Sequence, residues 1–489
     1  MSTVSTEQQP LLIGGEWVAA AAGRTFEKAD PLTGEPVTEA AAADRGDADR
    51  AAEAAAAAFP AWSATSPDER AAALTKAADL LDERAPDVAA TMTAECGATF
   101  GWGMFNCMLA AGMLRHAASL AAQVDHETPI ESHVPGLAAR AIRQPVGVVV
   151  GIAPWNAPVI LATRAIATPL AFGNTVILKA SEECPRTHAA VAKVVADAGA
   201  PAGVINLITN QPADAADVVE ELIAHPAVKR INFTGSTKVG RIIAAKAAEH
   251  LKRTLLELGG KAPFVVLDDA DLDEAAAAAN FGAFMNSGQI CMSTERIVVD
   301  RAVEDALAEK LVTRAQALTV GDPREQTTMI GPVVNAAAAR RVGELLEDAK
   351  AKGARVLTGG EADGLLLQPT IVAGVTPEMR IYAEESFGPI VTVIAADGED
   401  DAVRIANDTE YGLSAAVFGA DTARAETVAR RIQSGIVHVN GATVHDEPQM
   451  PFGGVKASGW GRFGGDAALD EFTELRWLTV QDGGREYPI

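Results

Sequence analysis

Between positions 36 and about 130, apolar residues recur at helical spacing. "DADRAAEAAAAAFPAW" and "PDERAAALTKAADLLDERAPDVAATMTAE" join strong helix formers to a polar face. From 140 the texture changes. "VGVVVGIAP" (146–154) is a β-branched run closed by proline, as expected of a strand buried on both faces. "NTVILKAS" (174–181), "AGVINLIT" (202–209) and "VKRINFTG" (228–235) repeat that pattern, with helical stretches at 158–173, 188–201 and 212–226 between them. Strand and helix in alternation predict a parallel sheet with crossover helices. After 263 a second unit begins. "PFVVLDDA", "ERIVVD", "ARVLTGG", "PIVTVIAA", "AAVFGAD" and "GIVHVNG" read as strands, and "AVEDALAEKLVTRAQAL" is one of the helices among them. The predicted class is α/β. The tail "TELRWLTVQDGG" (473–484) is strand-like and outside both units, so it is expected to pair elsewhere, another subunit included. The first ten residues, "MSTVSTEQQP", have no period and read as disordered.

Composition narrows the function. A chain of 489 residues exceeds one compact core, so two or three domains are expected. Hydrophobic content of 48% and charged content of 22% fit a soluble globular protein. The net charge of −24, from 41 basic and 65 acidic residues, argues against nucleic acid as a partner. No basic-then-apolar leader and no membrane-length apolar run is evident. The four cysteines, Cys96, Cys107, Cys184 and Cys291, form no CxxC pair, which disfavours a zinc site or a disulfide framework and points to the cytoplasm. The eight histidines form no HExxH or HxxxH pattern, so no catalytic metal is expected.

Several loops carry candidate chemistry. In "FMNSGQIC" the thiol of Cys291 follows the small residues Ser287 and Gly288, which are expected to leave room for a bound group. A thiol nucleophile needs a lowered pKa or a nearby base. In "LLELGGKAP", Glu257 sits between leucines, where burial would raise its pKa and suit it to general-base work. In "GIAPWNAP", Asn156 follows a very apolar strand and offers an amide to a developing oxyanion, or is simply a turn asparagine. "FTGSTKVG" places Ser236 at a helix start after a strand, a pyrophosphate site or an ordinary cap, without the GxGxxG fingerprint. Lys179 and Glu182 lie just past a strand's C-terminal end, where ligands bind parallel sheets. A carboxylate there accepts from a free ribose hydroxyl and repels a 2′-phosphate. Cys96, Cys107 and Cys184 have no such setting and read as packing or neutral surface residues.

Taken together, "FMNSGQIC", "LELGGKAP", "PWNAP", "FTGSTKVG", "EESFGP" and "PFGGVKASGWGR" resemble the NAD(P)-dependent aldehyde dehydrogenase superfamily over roughly residues 10 to 485. "VHDEPQMPFGGVKASGWGRFGG", "GIAPWNAPVILATRAIATPLA" and the terminal "EYPI" are most similar to the branch acting on vanillin, salicylaldehyde and benzaldehyde. The resemblance implies a Rossmann-like parallel-sheet cofactor domain (1–125 with 146–257), an α/β catalytic domain (258–470) and a small β oligomerisation arm (126–145 with 471–489). It implies that Cys291 attacks the aldehyde, that Asn156 and the Cys291 backbone N–H hold the oxyanion, and that Glu257 activates water to hydrolyse the thioester left by hydride transfer. NAD rather than NADP is implied. Its expected contacts are Trp155, Lys179, Glu182, Phe233, Ser236, Val239, Gly259, Glu385 and Phe387. For the substrate, Arg164 lies two helical turns past Asn156 and is expected to bind a polar ring substituent or the carbonyl region. Trp102 and Phe105, with Leu109 at helical spacing, supply an aromatic wall or a core stripe, and Phe452 another face. A homodimer or homotetramer is implied. The alternatives are an aliphatic or semialdehyde dehydrogenase and, in another class, a cofactor-independent cysteine hydrolase or thioesterase, which would leave Lys179, Glu182 and Ser236 without a task.

Overall fold

A computed structural model describes residues 6–484 and Tyr487. Its first sheet has five parallel strands at the centre: Arg253–Glu257, Val228–Thr234, Val148–Ile152, Thr175–Lys179 and Ile205–Ile208, in that spatial order. Four of them are the strands read from the sequence. Arg253–Glu257 was read only as the surroundings of Glu257. Antiparallel strands close both edges, Gly459–Trp460 on one side and Leu11–Ile13 with Glu16–Val18 on the other. These edge strands have two or three residues each, too few for a period-2 pattern to register.

The chain runs from Val148–Ile152 outward to Ile205–Ile208, then returns to lay Val228–Thr234 against the other side of the starting strand. The order therefore reverses between Val148–Ile152 and Val228–Thr234. A crevice opens at such a reversal, beyond the strands' C-terminal ends. The loop with Trp155 and Asn156 leaves one of these two strands, and the turn with Gly235 and Ser236 leaves the other.

The second sheet has seven strands in the order Arg355–Thr358, Thr370–Ala373, Ile390–Ala396, Thr294–Asp300, Ala262–Val266, Ser414–Phe418 and Ile436–Val439. All pair in parallel except the first. Each of the six apolar runs read after 263 is one of these strands. Only four residues separate Glu257, the end of the first sheet's last parallel strand, from Ala262, the start of the second sheet.

The alanine-rich region forms three helices, Arg45–Ser63, Pro67–Cys96 and Phe100–Leu120. Their starts are set by side chains that accept from free backbone N–H groups: Asp44 and Ser66 in capping boxes, then Thr99. Gly97, at φ +70°, ends the second helix in the left-handed conformation.

The tail strand Thr473–Gln481 pairs antiparallel with Leu137–Pro145 of the same chain over nine residues, and Thr128–Ile130 adds a third strand. This sheet leaves Trp477 74% exposed and Leu475 64% exposed. The expected N-terminal disorder is corrected for Glu7–Gln9, a strand parallel to Thr38–Ala40. Residues 1–5 of that expectation, and most of "EYPI", lie outside the described residues. Among the described residues, no helix is long and apolar enough to cross a membrane, and no group of three or more His, Cys, Asp or Glu is placed to share a metal ion.

Candidate active site

The loop that carries Cys291 begins where a helix is stopped. Leu272–Phe284 is helical, and the chain then turns left-handed at Asn286, Ser287 and Gly288, with φ of 50°, 56° and 69°. For residues with a Cβ this costs roughly 1–2 kcal/mol each, so neighbours must hold the turn. Asn286 Nδ2 donates to the Asn156 carbonyl at 2.8 Å, and Ser287 Oγ to the Gly331 carbonyl at 2.9 Å. Ser293 Oγ donates to the Gly288 carbonyl at 3.1 Å. Ser287 and Gly288 were expected to leave room beside the thiol, and this is corrected. Both are buried, and a Cβ at Gly288 would collide with the Gly388 carbonyl. They are small because backbones meet there. Gly260 is small for a related reason, since its Cβ would strike the Cys291 carbonyl.

Asn156 is buried in the loop between Val148–Ile152 and the helix Pro158–Ala171. Its carbonyl accepts from Asn286 Nδ2 and from the Trp102 indole at 3.2 Å. Its amide nitrogen gives one N–H to the Gln289 carbonyl at 2.9 Å, and a primary amide has a second to offer. Asn156 and Cys291 line one cavity of about 740 Å³, together with Trp102, Phe105, Arg164 and Phe452. The helical spacing of Trp102 and Phe105 thus yields a wall, with their rings stacked at 5.3 Å. Trp102 also serves the core, being only 7% exposed.

Arg164 faces this cavity but is not free in it. Its guanidinium is ion-paired with Asp446 and lies 4.1 Å from the centroid of the Phe452 ring. Sequence reading missed Asp446, although "VHDEPQM" contains it. An irregular segment distant in sequence delivers it, and no spacing rule links it to Arg164. Met285 and Met292, also in the wall, lie close to Cys291 in sequence but were not assigned to the substrate, because an apolar residue there reads equally well as core.

The expected cofactor residues gather at the crevice. Lys179 ends its strand with the ammonium buried and 3.6 Å from Glu182 Oε2, beyond hydrogen-bond length. Burial lowers its pKa. An ammonium so placed has donors to spare for hydroxyl groups. Ser236 caps the helix Thr237–Glu249, accepting from Val239 N–H at 3.4 Å. The helix offers its remaining first-turn N–H groups and a positive dipole end, which suit a phosphate. Phe233 lies directly beneath Gly235, where a Cβ would come within 2.5 Å of the ring. From the second sheet's side come Glu385, which accepts from the Gly260 N–H at 2.8 Å, and Phe387, packed edge-on to Trp155 at 5.7 Å. A Cβ at Gly259 would lie 2.6 Å from the Glu385 carboxylate. Phe387 is held at φ +51° because Glu295 accepts from its N–H and from that of Ser386. Glu295 is itself ion-paired to the fully buried Lys261. This buried pair was also invisible in the sequence. A buried ammonium, a glycine-lined turn, a free helix start and an acid at the far end together fit a dinucleotide.

A model of the aldehyde dehydrogenase family matches residues 17–478. The chain belongs to the aldehyde dehydrogenase family. Vanillin dehydrogenase of Pseudomonas fluorescens is 56% identical to it over 480 residues, 98% of this chain and 99% of that protein. Salicylaldehyde dehydrogenase of Pseudomonas sp. strain C18 is 48% identical over the same shares. Among solved structures, the salicylaldehyde dehydrogenase from Pseudomonas putida G7 complexed with salicylaldehyde matches with a TM-score of 0.97 at 46% identity, covering 99% of this chain and 100% of that one.

In this aldehyde dehydrogenase, an oxidoreductase of a family that uses NAD(P), the electrostatics separate the acid and base groups. Burial pushes the Cys291 thiol up to about 12, and the carboxylates of Glu257 and Glu385 push in the same direction. The lowered thiol pKa that a nucleophile can use is therefore not built into this site, leaving activation to a base or an arriving positive charge. Burial also raises Glu257 to about 8, against the pull of Arg164 and Arg462. Neither Glu257 oxygen has a hydrogen-bond partner of good geometry. A carboxylate so poorly solvated is a strong base once ionised. The other cysteines are buried packing thiols, and Cys184 lies 3.5 Å from His188 Nε2.

Proposed function

We propose that this aldehyde dehydrogenase oxidises aromatic aldehydes of the vanillin, salicylaldehyde or benzaldehyde type to carboxylic acids, with NAD as the oxidant. The observation that carries the reading is the shared cavity: Cys291 and Asn156 open into a space walled by Trp102, Phe105 and Phe452. The likeness to vanillin and salicylaldehyde dehydrogenases supports it.

Cys291 Sγ adds to the aldehyde carbon as the thiol releases its proton to solvent, which leaves Glu257 ionised for the later step. The free N–H of Asn156 and the Cys291 backbone N–H receive the oxygen, whose charge grows as the S–C bond forms. An oxidised nicotinamide, when bound, would supply a hydride acceptor and a positive charge. Once the carbon is at the acid level, a thioester to Cys291, Glu257 takes a proton from water and the water attacks. Lys179 and Glu182 hold the adenosine ribose, Ser236 and Val239 the pyrophosphate at the helix start, and Glu385 the nicotinamide ribose. Trp155, Phe233, Gly259 and Phe387 form the walls of the cleft. The Glu182 carboxylate favours a free 2′-hydroxyl and so NAD over NADP.

Residues 1–125 with 146–257 form the cofactor domain in this reading, 258–470 the catalytic domain, and 126–145 with 471–489 the arm through which copies associate. The four free thiols suit a reducing cytoplasm. The test is a panel of aromatic and aliphatic aldehydes, followed by NADH formation with NAD and NADP. Benzaldehydes are expected to exceed straight-chain aldehydes in kcat/KM by at least about tenfold, since an aromatic ring buries more apolar surface in this cavity. Faster turnover of aliphatic or semialdehyde substrates would reject the substrate class. Ester hydrolysis without any NADH would reject the reaction.

A further inference from the structure

We propose that Asp446 is a specificity residue: its carboxylate accepts a hydrogen bond from a hydroxyl on the substrate's ring, and with Arg164 it selects hydroxylated aromatic aldehydes over unsubstituted ones. The inference rests on the aromatic-aldehyde reading above.

The cavity beside Cys291 is mostly apolar, and away from the oxyanion donor its charged pair is Arg164 with Asp446. The two oxygens of Asp446 are used unequally. Oδ2 binds the Arg164 guanidinium, while Oδ1 is buried and has no hydrogen-bond partner of good geometry. Leaving a buried acceptor unmade costs free energy that a ligand's donor can recover. Arg164 is pinned from both sides, by Asp446 and by the Phe452 ring. Its remaining N–H groups are donors, and Asp446 Oδ1 is the acceptor beside them. A donor and an acceptor side by side in an apolar cavity match a hydroxyl, which does both. The apolar walls match the ring that carries it.

The charge state follows as well. The unpartnered Oδ1 of Asp446 is an acceptor, so it takes a hydroxyl that still carries its proton, and a phenolate has none to give it. A bare ring leaves Oδ1 unpaired, and a methoxy group puts a methyl where the proton should be.

The experiment measures kcat/KM for benzaldehyde, the three hydroxybenzaldehydes and their methoxy counterparts, in the wild-type enzyme and in Asp446→Asn and Asp446→Ser. In the wild type, at least one hydroxybenzaldehyde should exceed its methoxy counterpart by roughly tenfold or more, the usual worth of a hydrogen bond to a charged group. In both variants that ratio should fall about tenfold. If the variants lose hydroxylated and unsubstituted substrates equally, Asp446 only holds Arg164 in place and the proposal is overturned, while aromatic-aldehyde oxidation stands. No NADH from any aromatic aldehyde in the wild type would instead overturn the reading beneath it. A second measurement needs no change at Asp446. Bound to Cys291→Ala, the preferred hydroxybenzaldehyde should keep the ultraviolet spectrum of its neutral phenol at a pH where the free compound is partly ionised. A phenolate spectrum in the bound state would place the ring oxygen on Arg164 alone and refute the assignment.

Discussion

Glu257 and Cys291 have pKa values raised to about 8 and about 12, and this fixes how rate depends on pH. Glu257 accepts a proton only when ionised. Below pH 8 it is largely protonated, so steady-state kcat should rise with pH through an apparent pKa near 8 and level off above it. Glu257→Gln removes that base. It should release about one equivalent of NADH in a burst and then turn over roughly a hundredfold more slowly, without the pH slope. A variant showing no burst would assign Glu257 an earlier step. The same shift has a stability sign. A carboxyl whose folded pKa lies above its ordinary value costs the fold free energy when it ionises, and that cost is complete above pH 8. Glu257→Gln should therefore raise Tm more at pH 9 than at pH 6, as calorimetry would report. Part of this was legible beforehand, because a glutamate between leucines and before a Gly-Gly turn was read as sitting in an apolar setting. What could not be read was Asp446, since its importance depends on Arg164, nearly three hundred residues away.

At the scale of elements, strand and helix alternation named most of the parallel strands, though not Arg253–Glu257 or Thr370–Ala373, because β-branched runs of four to seven residues carry a clear signal. It passed over Leu11–Ile13, Glu16–Val18 and Gly459–Trp460, which exist only because a sheet edge accepts them. The turn before Cys291 shows the same limit more sharply. Ser287 and Gly288 were read for side-chain size, yet with Asn286 they are set by backbone φ, and Gly288 by the approach of Gly388. Gly288→Ala forces a Cβ onto a carbonyl in a left-handed residue. It should cost about 3 kcal/mol or more and reduce kcat along with Tm. A thermal melt with a normal midpoint would show that the loop relaxes freely and is not a rigid mount.

Across the whole molecule, the two α/β units were expected from changes of texture along the chain and the β arm from the family resemblance, whereas contacts between units left no trace in local pattern. The arm presents Leu475 and Trp477 on one face, far more exposed than apolar side chains of that size usually are. If copies associate through it, Trp477→Arg should shift the protein to a smaller species in sedimentation while each protomer keeps its fold. An unchanged assembly would direct attention to other surfaces.

The high thiol pKa of Cys291 has a consequence beyond turnover. Peroxide and other oxidants attack thiolates, not thiols. An enzyme waiting without its reactants keeps the sulfur protonated among carboxylates, and so ages slowly. The positive charge that readies the nucleophile would also expose it to damage. Peroxide inactivation at pH 7 should therefore be slow for the enzyme alone and quicken several-fold when NAD is added. The site stays inert in storage and becomes vulnerable only while it is in use.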